Sequence, residues 1–398
     1  MKRVKLGIVV LSALLSFFLI AGGIVQAEDG VTKDEILIGS TMDLSGPLAF
    51  MGQSWRDGAN LYFKHINDQG GIHGRKIKLL IEDDGFQAPR TVQGVKKLIT
   101  RDKVFVMSMN MGAAGIFAIL PLLEEYKIPM LPAGTANSKL VDPPRKYVFL
   151  MDTSYITQAI VGAKYVKETL KVNKPIVACI YQDDVTGQQW FEGTKIAFDR
   201  VYGIKNVLDL SYKRGAIDFS SQISKCKQAG VTHVFMHVND REPAAIMKEA
   251  QRVQFKALYI TSSAAASRKT VELAGDSINY SGGLLMSTYA VDLHDDTPAI
   301  NFYRSLIKKY NMCSVDNPMN GWGYQAAIVL CEVIKRAGPD LTREKFIKAA
   351  ETLKGFDSGM MTPVTWTPTK RGGGDAAWIF KADPSTNQWR RISSWIHE

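Results

Sequence analysis

Apolar positions along this chain form short continuous runs and helical stripes that alternate with one another. Residues 35–39, 76–82, 104–108 and 128–131 read as strands, and 55–67, 89–101 and 116–126 as helices. In the second helix Val92, Val95, Leu98 and Ile99 share one face. After a break near Met151-Asp152-Thr153 the cycle restarts, with strands over 176–181, 207–210, 231–237 and 257–260. Helical spacing over 157–170, 188–202, 219–228 and 243–253 separates these strands. Strand–helix alternation builds parallel sheets wrapped by helices on both faces. Two such cycles predict an α/β protein of two doubly wound, Rossmann-like lobes. Ligands of such sheets sit outside the carboxyl ends of the strands, so the loops there are where function is sought.

The longest apolar run lies at the start, from Leu6 to Ala21, behind Lys2, Arg3 and Lys5. Small residues at Val25-Gln26-Ala27 follow it. A basic start, a short apolar stretch and a small-residue exit describe a secretory signal peptide over 1–27, cleaved after Ala27. No cysteine stands at the cut to carry a lipid. The expected destination is the periplasm.

Composition adds little to this reading and removes some rivals. A hydrophobic fraction of 46% and a charged fraction of 22% suit an ordinary globule. The formal charge is +10, and +7 once the three cations of the first segment are set aside. The remaining Lys and Arg are scattered over amphipathic helices without forming a stripe, so no nucleic-acid partner is expected. The four cysteines (Cys179, Cys226, Cys313, Cys331) contain no CxxC pair; a Cys313–Cys331 disulfide is open in an oxidising compartment. No metal or cofactor motif is present, and neither a Walker loop nor a Gly-x-Ser-x-Gly elbow occurs. His233 and His237 share a strand face, which leaves a metal pair conceivable, although no acid accompanies them.

Several segments resemble one family. Gly39-Ser-Thr-Met-Asp-Leu-Ser-Gly-Pro-Leu-Ala49 with Gly52, Ile66-Asn-Asp-Gln-Gly-Gly-Ile-His-Gly-Arg75, Glu82-Asp-Asp84, and Ile128-Pro-Met-Leu-Pro-Ala-Gly-Thr135 are similar in order and spacing to the branched-chain amino acid type of periplasmic binding protein. The resemblance spans 35–396. It implies the exported solute-capturing subunit of an ABC importer: a monomer, not an enzyme, without cofactor, whose partners are a small carboxylate ligand and the transporter permease. It further implies three hinge crossovers, near 151–153, 285–288 and 374–378. Residues 28–152 and 288–375 then form lobe 1, and 153–287 and 376–398 lobe 2.

The resemblance also points to site residues. In that family the loops matching Asn110-Met111-Gly112-Ala113 and Ala133-Gly134-Thr135 hold the ligand carboxylate, each with a hydroxyl side chain. Main-chain N–H groups at a helix start suit that task independently. Thr135 matches one hydroxyl, whereas Gly112 stands where the family has serine; turn chemistry explains the glycine equally well. Met51 aligns with a ligand-flanking position, and with Phe50, Trp55 and Met111 reads either as an apolar wall or as core. Ser45, Tyr181, Asn239, Asp240 and Asn320 belong to further loops aimed at the cleft, while Trp322 is explained as well by packing. Ser263 stands where amino-acid binders carry the acid that pairs with the ligand ammonium. A buried ammonium without an anion is costly, which favours an aliphatic or aromatic acid over an amino acid, unless Asp240 or Asp184 substitutes. The same alternation also suits two other readings, a soluble sensor feeding a signalling receptor and a doubly wound enzyme.

Overall fold

The structure, a computed structural model, describes residues 28–239 and 241–398; the expected signal segment and Asp240 lie outside the described residues. The chain runs β1 (Glu35–Met42), α1 (Ala49–Asp68), β2 (Lys76–Asp83), α2 (Ala88–Thr100), β3 (Val106–Met107) and α3 (Ala113–Glu125). These strands form a parallel sheet of order β2-β1-β3. The segment expected as a strand at 128–131 joins it only through isolated bridges, Met107 to Met130 and Met130 to Val148.

The second sheet begins after α4 (Tyr155–Lys164). It takes β4 (Val177–Gln182), α5 (Val185–Tyr202), β5 (Leu208–Tyr212), α6 (Ser220–Gln228), β6 (His233–His237), α7 (Glu242–Arg252) and β7 (Leu258–Ser262). After α8 (Arg268–Ala274), α9 (Ser277–Tyr280) and β8 (Leu284–Thr288), three helices follow: α10 (Pro298–Tyr310), α11 (Pro318–Ala337) and α12 (Arg343–Ala350). The chain then returns as β9 (Ala376–Asp383), β10 (Gln388–Arg391) and β11 (Ile396–His397). The order is β10-β9-β8-β7-β6-β4-β5, with β11 on β9; β4 to β8 pair in parallel and β9 runs antiparallel to its neighbours.

The inner strands β4, β6 and β8 are buried along their whole length, as both faces of the sheet are covered there, whereas the edge strand β5 alternates. On β6, Phe235 packs with Trp190, Phe198 and Ile379 under α4 and α5, whereas Val234 and Met236 face the opposite layer with Met247 and Val271. Odd positions of β6 therefore point at α4 and α5, which turns His237 toward Tyr155 and Trp190.

The chain joins the two sheets three times, and the joining segments touch. Thr153 donates to Ala376 O at 2.9 Å, and Thr362 N–H donates to Tyr289 O. Between them lies Gly373, where a Cβ would fall 2.1 Å from Met151 O. On the first-sheet side α1 and α11 cross so closely that glycines form the contact: a Cβ on Gly58 would meet Asn320 O at 1.9 Å, and one on Gly323 would meet Trp55 O at 2.0 Å.

Two possibilities that the sequence leaves open are closed by the structure. All four cysteines are free, Cys313 and Cys331 included. His233 bonds Thr232 at the start of β6, while His237 sits four residues on, about 13 Å away at strand rise, so the pair cannot share an ion. Among the described residues no helix is long and apolar enough to cross a membrane.

Candidate functional site

A cavity of about 120 Å³ lies where the carboxyl ends of the two sheets face each other. Its first-sheet wall is built from the start of α3. This helix begins three residues before the apolar stripe announces it, at Ala113, with Gly112 as its N-cap. Its first main-chain bond runs from Ile116 N–H to Gly112 O, so the N–H groups of 113–115 have no partner of the helix's own. Gly112 adopts φ 88, and a Cβ there would meet the Phe86 ring at 2.5 Å. A side chain is excluded at that position, so the glycine serves the turn and leaves the helix end bare at the cavity. Gly134 lies beside it, its N–H donating to Asn110 O, with Trp55 close overhead.

Thr135 stands on the same wall, and its hydroxyl is within hydrogen-bonding reach of the Tyr155 hydroxyl. Trp55 and Trp322 stack with ring centroids 3.7 Å apart and interplanar angle 24°, forming an aromatic floor. Met51, Met111 and Met319 add soft apolar surface around it.

Among the described residues two carboxylates and no lysine or arginine line the cavity. Asp152, on the first joining segment, accepts from Trp322 Nε1 at 3.0 Å and from the Tyr289 hydroxyl. Burial pushes its carboxyl up to about 7 despite these donors. Asp184 caps α5: Oδ1 accepts from Thr186 N at 3.0 Å and Gly187 N at 2.9 Å. Its Oδ2 takes the Gln182 amide and lies 3.8 Å from Arg214. Arg214 in turn lies 4.7 Å over the Phe86 ring, a bridge from one sheet's loops to the other's at the mouth. Other bridges are Asn137 Nδ2 to Val185 O at 3.1 Å, Gln189 with Ser138, and Lys139 with Glu192 at 3.0 Å. Burial lowers the His237 imidazole to about 4, with Asp184 acting in the opposite sense.

The residues singled out from sequence divide as follows. Met51, Met111, Gly112, Ala113, Gly134 and Thr135 line the first wall, and Asn239 and Ser263 the second. Ala133 is fully buried behind it. Asn110 is buried too, its amide donating to Thr41 at 2.8 Å. Ser45 turns outward to Asp83. The Tyr181 hydroxyl bonds Asp209 and its ring stacks on Phe191, away from the cavity. Asn320 donates to Ser54 O at 2.9 Å and accepts from Ser314, joining α1 to α11. Asp240 is outside the described residues. Asp152, Tyr155, Tyr289, Phe86 and His237 also line the cavity without having been marked as ligand contacts. The strand-end position of His237 was the one local signal that pointed to it.

Comparison with known proteins places this architecture. A family model described as periplasmic binding protein matches residues 35–388. The chain belongs to the periplasmic binding protein family. Among curated relatives it is 25% identical to the Leu/Ile/Val-binding protein homolog 1 of Brucella suis, over 80% of this chain and 83% of the relative. It is 24% identical to an amino acid binding protein of Pseudomonas aeruginosa, over 65% of this chain and 68% of that protein. Among solved structures it is similar to a fatty acid ABC transporter substrate-binding protein from Thermomonospora curvata, with TM-score 0.83, 22% identity, and 94% and 95% of the two chains covered. A branched-chain amino acid ABC transporter protein from Thermus thermophilus with bound valine gives TM-score 0.81 at 21% identity, covering 92% and 98%. The fold they share is the type I periplasmic binding protein fold. These relatives carry the names of solute-binding and ABC transporter proteins.

Proposed function

We propose that this chain is the solute-capturing subunit of an ABC importer, exported by a signal peptide cleaved after Ala27 and acting as a monomer that delivers its ligand to a permease. The observation that carries the reading is the bare start of α3 beside the Thr135 hydroxyl, on one wall of a cavity between two hinged halves. Unpaired N–H groups and the helix dipole favour a carboxylate there. The tryptophan floor and the methionines suit an apolar body attached to it. The lobes are taken as 28–152 with 288–375 and 153–287 with 376–398, closing on the solute.

Relatives named for leucine, isoleucine and valine and a neighbour named for fatty acids both support an acid with an apolar body. The test is a thermal-shift screen of aliphatic acids, aromatic acids and amino acids, since a ligand of the folded state raises the melting temperature. We expect acids with an apolar body to stabilise the protein and Thr135→Ala to lower affinity for the best of them about 10-fold or more, the scale of a lost hydrogen bond to a charged group. Tight binding only of sugars or cations would sink the reading.

A further inference from the structure

The carboxylate accounts for the first wall of the cavity and leaves the second wall, at the ends of β6 and β7, without an assignment. That wall presents His237, Asn239 and Ser263. His237 is only 7% exposed. Its Nδ1 lies 2.8 Å from Ser262 Oγ, which commits one ring nitrogen. Its Nε2 has no partner among the described residues. The Asn239 side-chain amide and the Ser263 hydroxyl are also without partners among the described residues. Among the described residues every free polar group of this wall is uncharged at neutral pH, since burial keeps the imidazole deprotonated.

The two acids of the cavity do not change this. Asp184 spends Oδ1 on two N–H groups of α5 and Oδ2 on Gln182, with Arg214 at 3.8 Å. Asp152 lines the cavity but accepts from Trp322 and Tyr289, and burial raises its carboxyl to about 7, so it is partly protonated at neutral pH. Among the described residues a ligand ammonium would shed water and meet no carboxylate that is both fully ionised and free of hydrogen-bond donors, which is costly. A hydroxyl both donates and accepts, so it satisfies Nε2 in either imidazole tautomer and the amide or serine beside it.

The two walls are close. The Tyr155 hydroxyl reaches Thr135, and the Tyr155 ring meets the His237 ring edge-on at 4.7 Å between centroids. One phenol ring thus separates the carboxylate anchor from the uncharged wall. Resting on the carboxylate reading, we propose that the captured solute is a hydroxy acid with an apolar side chain, its hydroxyl next to the carboxyl and bound by His237, Asn239 and Ser263. It is the counterpart of an apolar amino acid with a hydroxyl in place of the ammonium.

The test is calorimetric titration of the mature chain with matched trios: leucine, 2-hydroxy-4-methylpentanoate and 4-methylpentanoate, then phenylalanine, 3-phenyllactate and 3-phenylpropionate. In at least one trio the hydroxy acid is expected to bind 10-fold or more tightly than both companions. His237→Phe keeps a ring against Tyr155 and should weaken the hydroxy acid 10-fold or more beyond any change in the plain acid, erasing that advantage. Ser263→Ala, at a less buried position, should reduce the advantage and guards against a folding defect in the first variant. An amino acid binding tightest, or hydroxy and plain acids binding alike, overturns the inference and leaves the carboxylate reading standing. Equal loss of hydroxy and plain acid in both variants overturns it too. Failure of every member to bind overturns both readings.

Discussion

Gly112 shows how one missing side chain governs the chemistry of the cavity. Its φ of 88 with ψ 130 belongs to a region that only glycine occupies readily, and the Phe86 ring fills the space where a Cβ would go. Restoring the family's serine by Gly112→Ser should therefore cost about 1–3 kcal/mol of stability and bring no gain in acid affinity. Urea denaturation and titration of the variant check both halves; a tighter-binding, equally stable serine variant would contradict the geometry. The residues legible from sequence were those fixed by local turns, such as Gly112, Gly134 and Thr135. Asp152 and Tyr289 were not, because they stand on the segments joining the sheets, and no periodicity marks a joining segment as cavity wall; nor was Tyr155, the first residue of α4, because helical spacing is legible only from 157. Tyr181 misled because strand alternation gives a direction but not the neighbour, Asp209, that engages its hydroxyl.

At the scale of elements, the alternation of strand and helix was readable almost throughout, with ends displaced by a few residues. The displacements that mattered are at helix starts. Both α3 and α5 begin about three residues before their apolar stripes, at Gly112 and Asp184, because capping rather than burial sets a helix start. The strands after 284 were legible only as hinge segments, and the antiparallel β9 departs from the repeating pattern altogether. The α1–α11 crossing was invisible, since glycine inside a helical stripe reads as a weak point. Here Gly323 lets the two backbones touch, so Gly323→Ala should destabilise by about 1–3 kcal/mol even though alanine is the better helix former. Urea midpoints decide this; a neutral or stabilising outcome would mean the helices separate at no cost.

At the scale of the molecule, the buried Asp152 ties one joining segment to another through Tyr289 and to α11 through Trp322. Its carboxyl is raised to about 7 from an ordinary 3.8, so the unfolded chain loses this proton at lower pH than the folded one. The associated stability is fully present below about pH 4 and drains away as pH rises to 7. His237 works in the opposite sense: lowered to about 4 from 6.5, it costs stability as pH falls through that interval. Asp152→Asn should remove the first effect alone, leaving the protein more stable than the parent at pH 8, by on the order of 2 kcal/mol, and little changed near pH 4. Thermal melts across that range measure it, and an asparagine variant weaker at pH 8 would show the ionised acid to be supportive.

The stacked pair of Trp55 and Trp322 has a practical corollary. Two indoles in face-to-face contact at the floor of a solute cavity, one of them hydrogen-bonded to an ionisable group, make their shared emission sensitive to whatever enters above them. The molecule carries a built-in optical gauge of occupancy, so uptake could be followed in the unlabelled chain, in real time, by light alone.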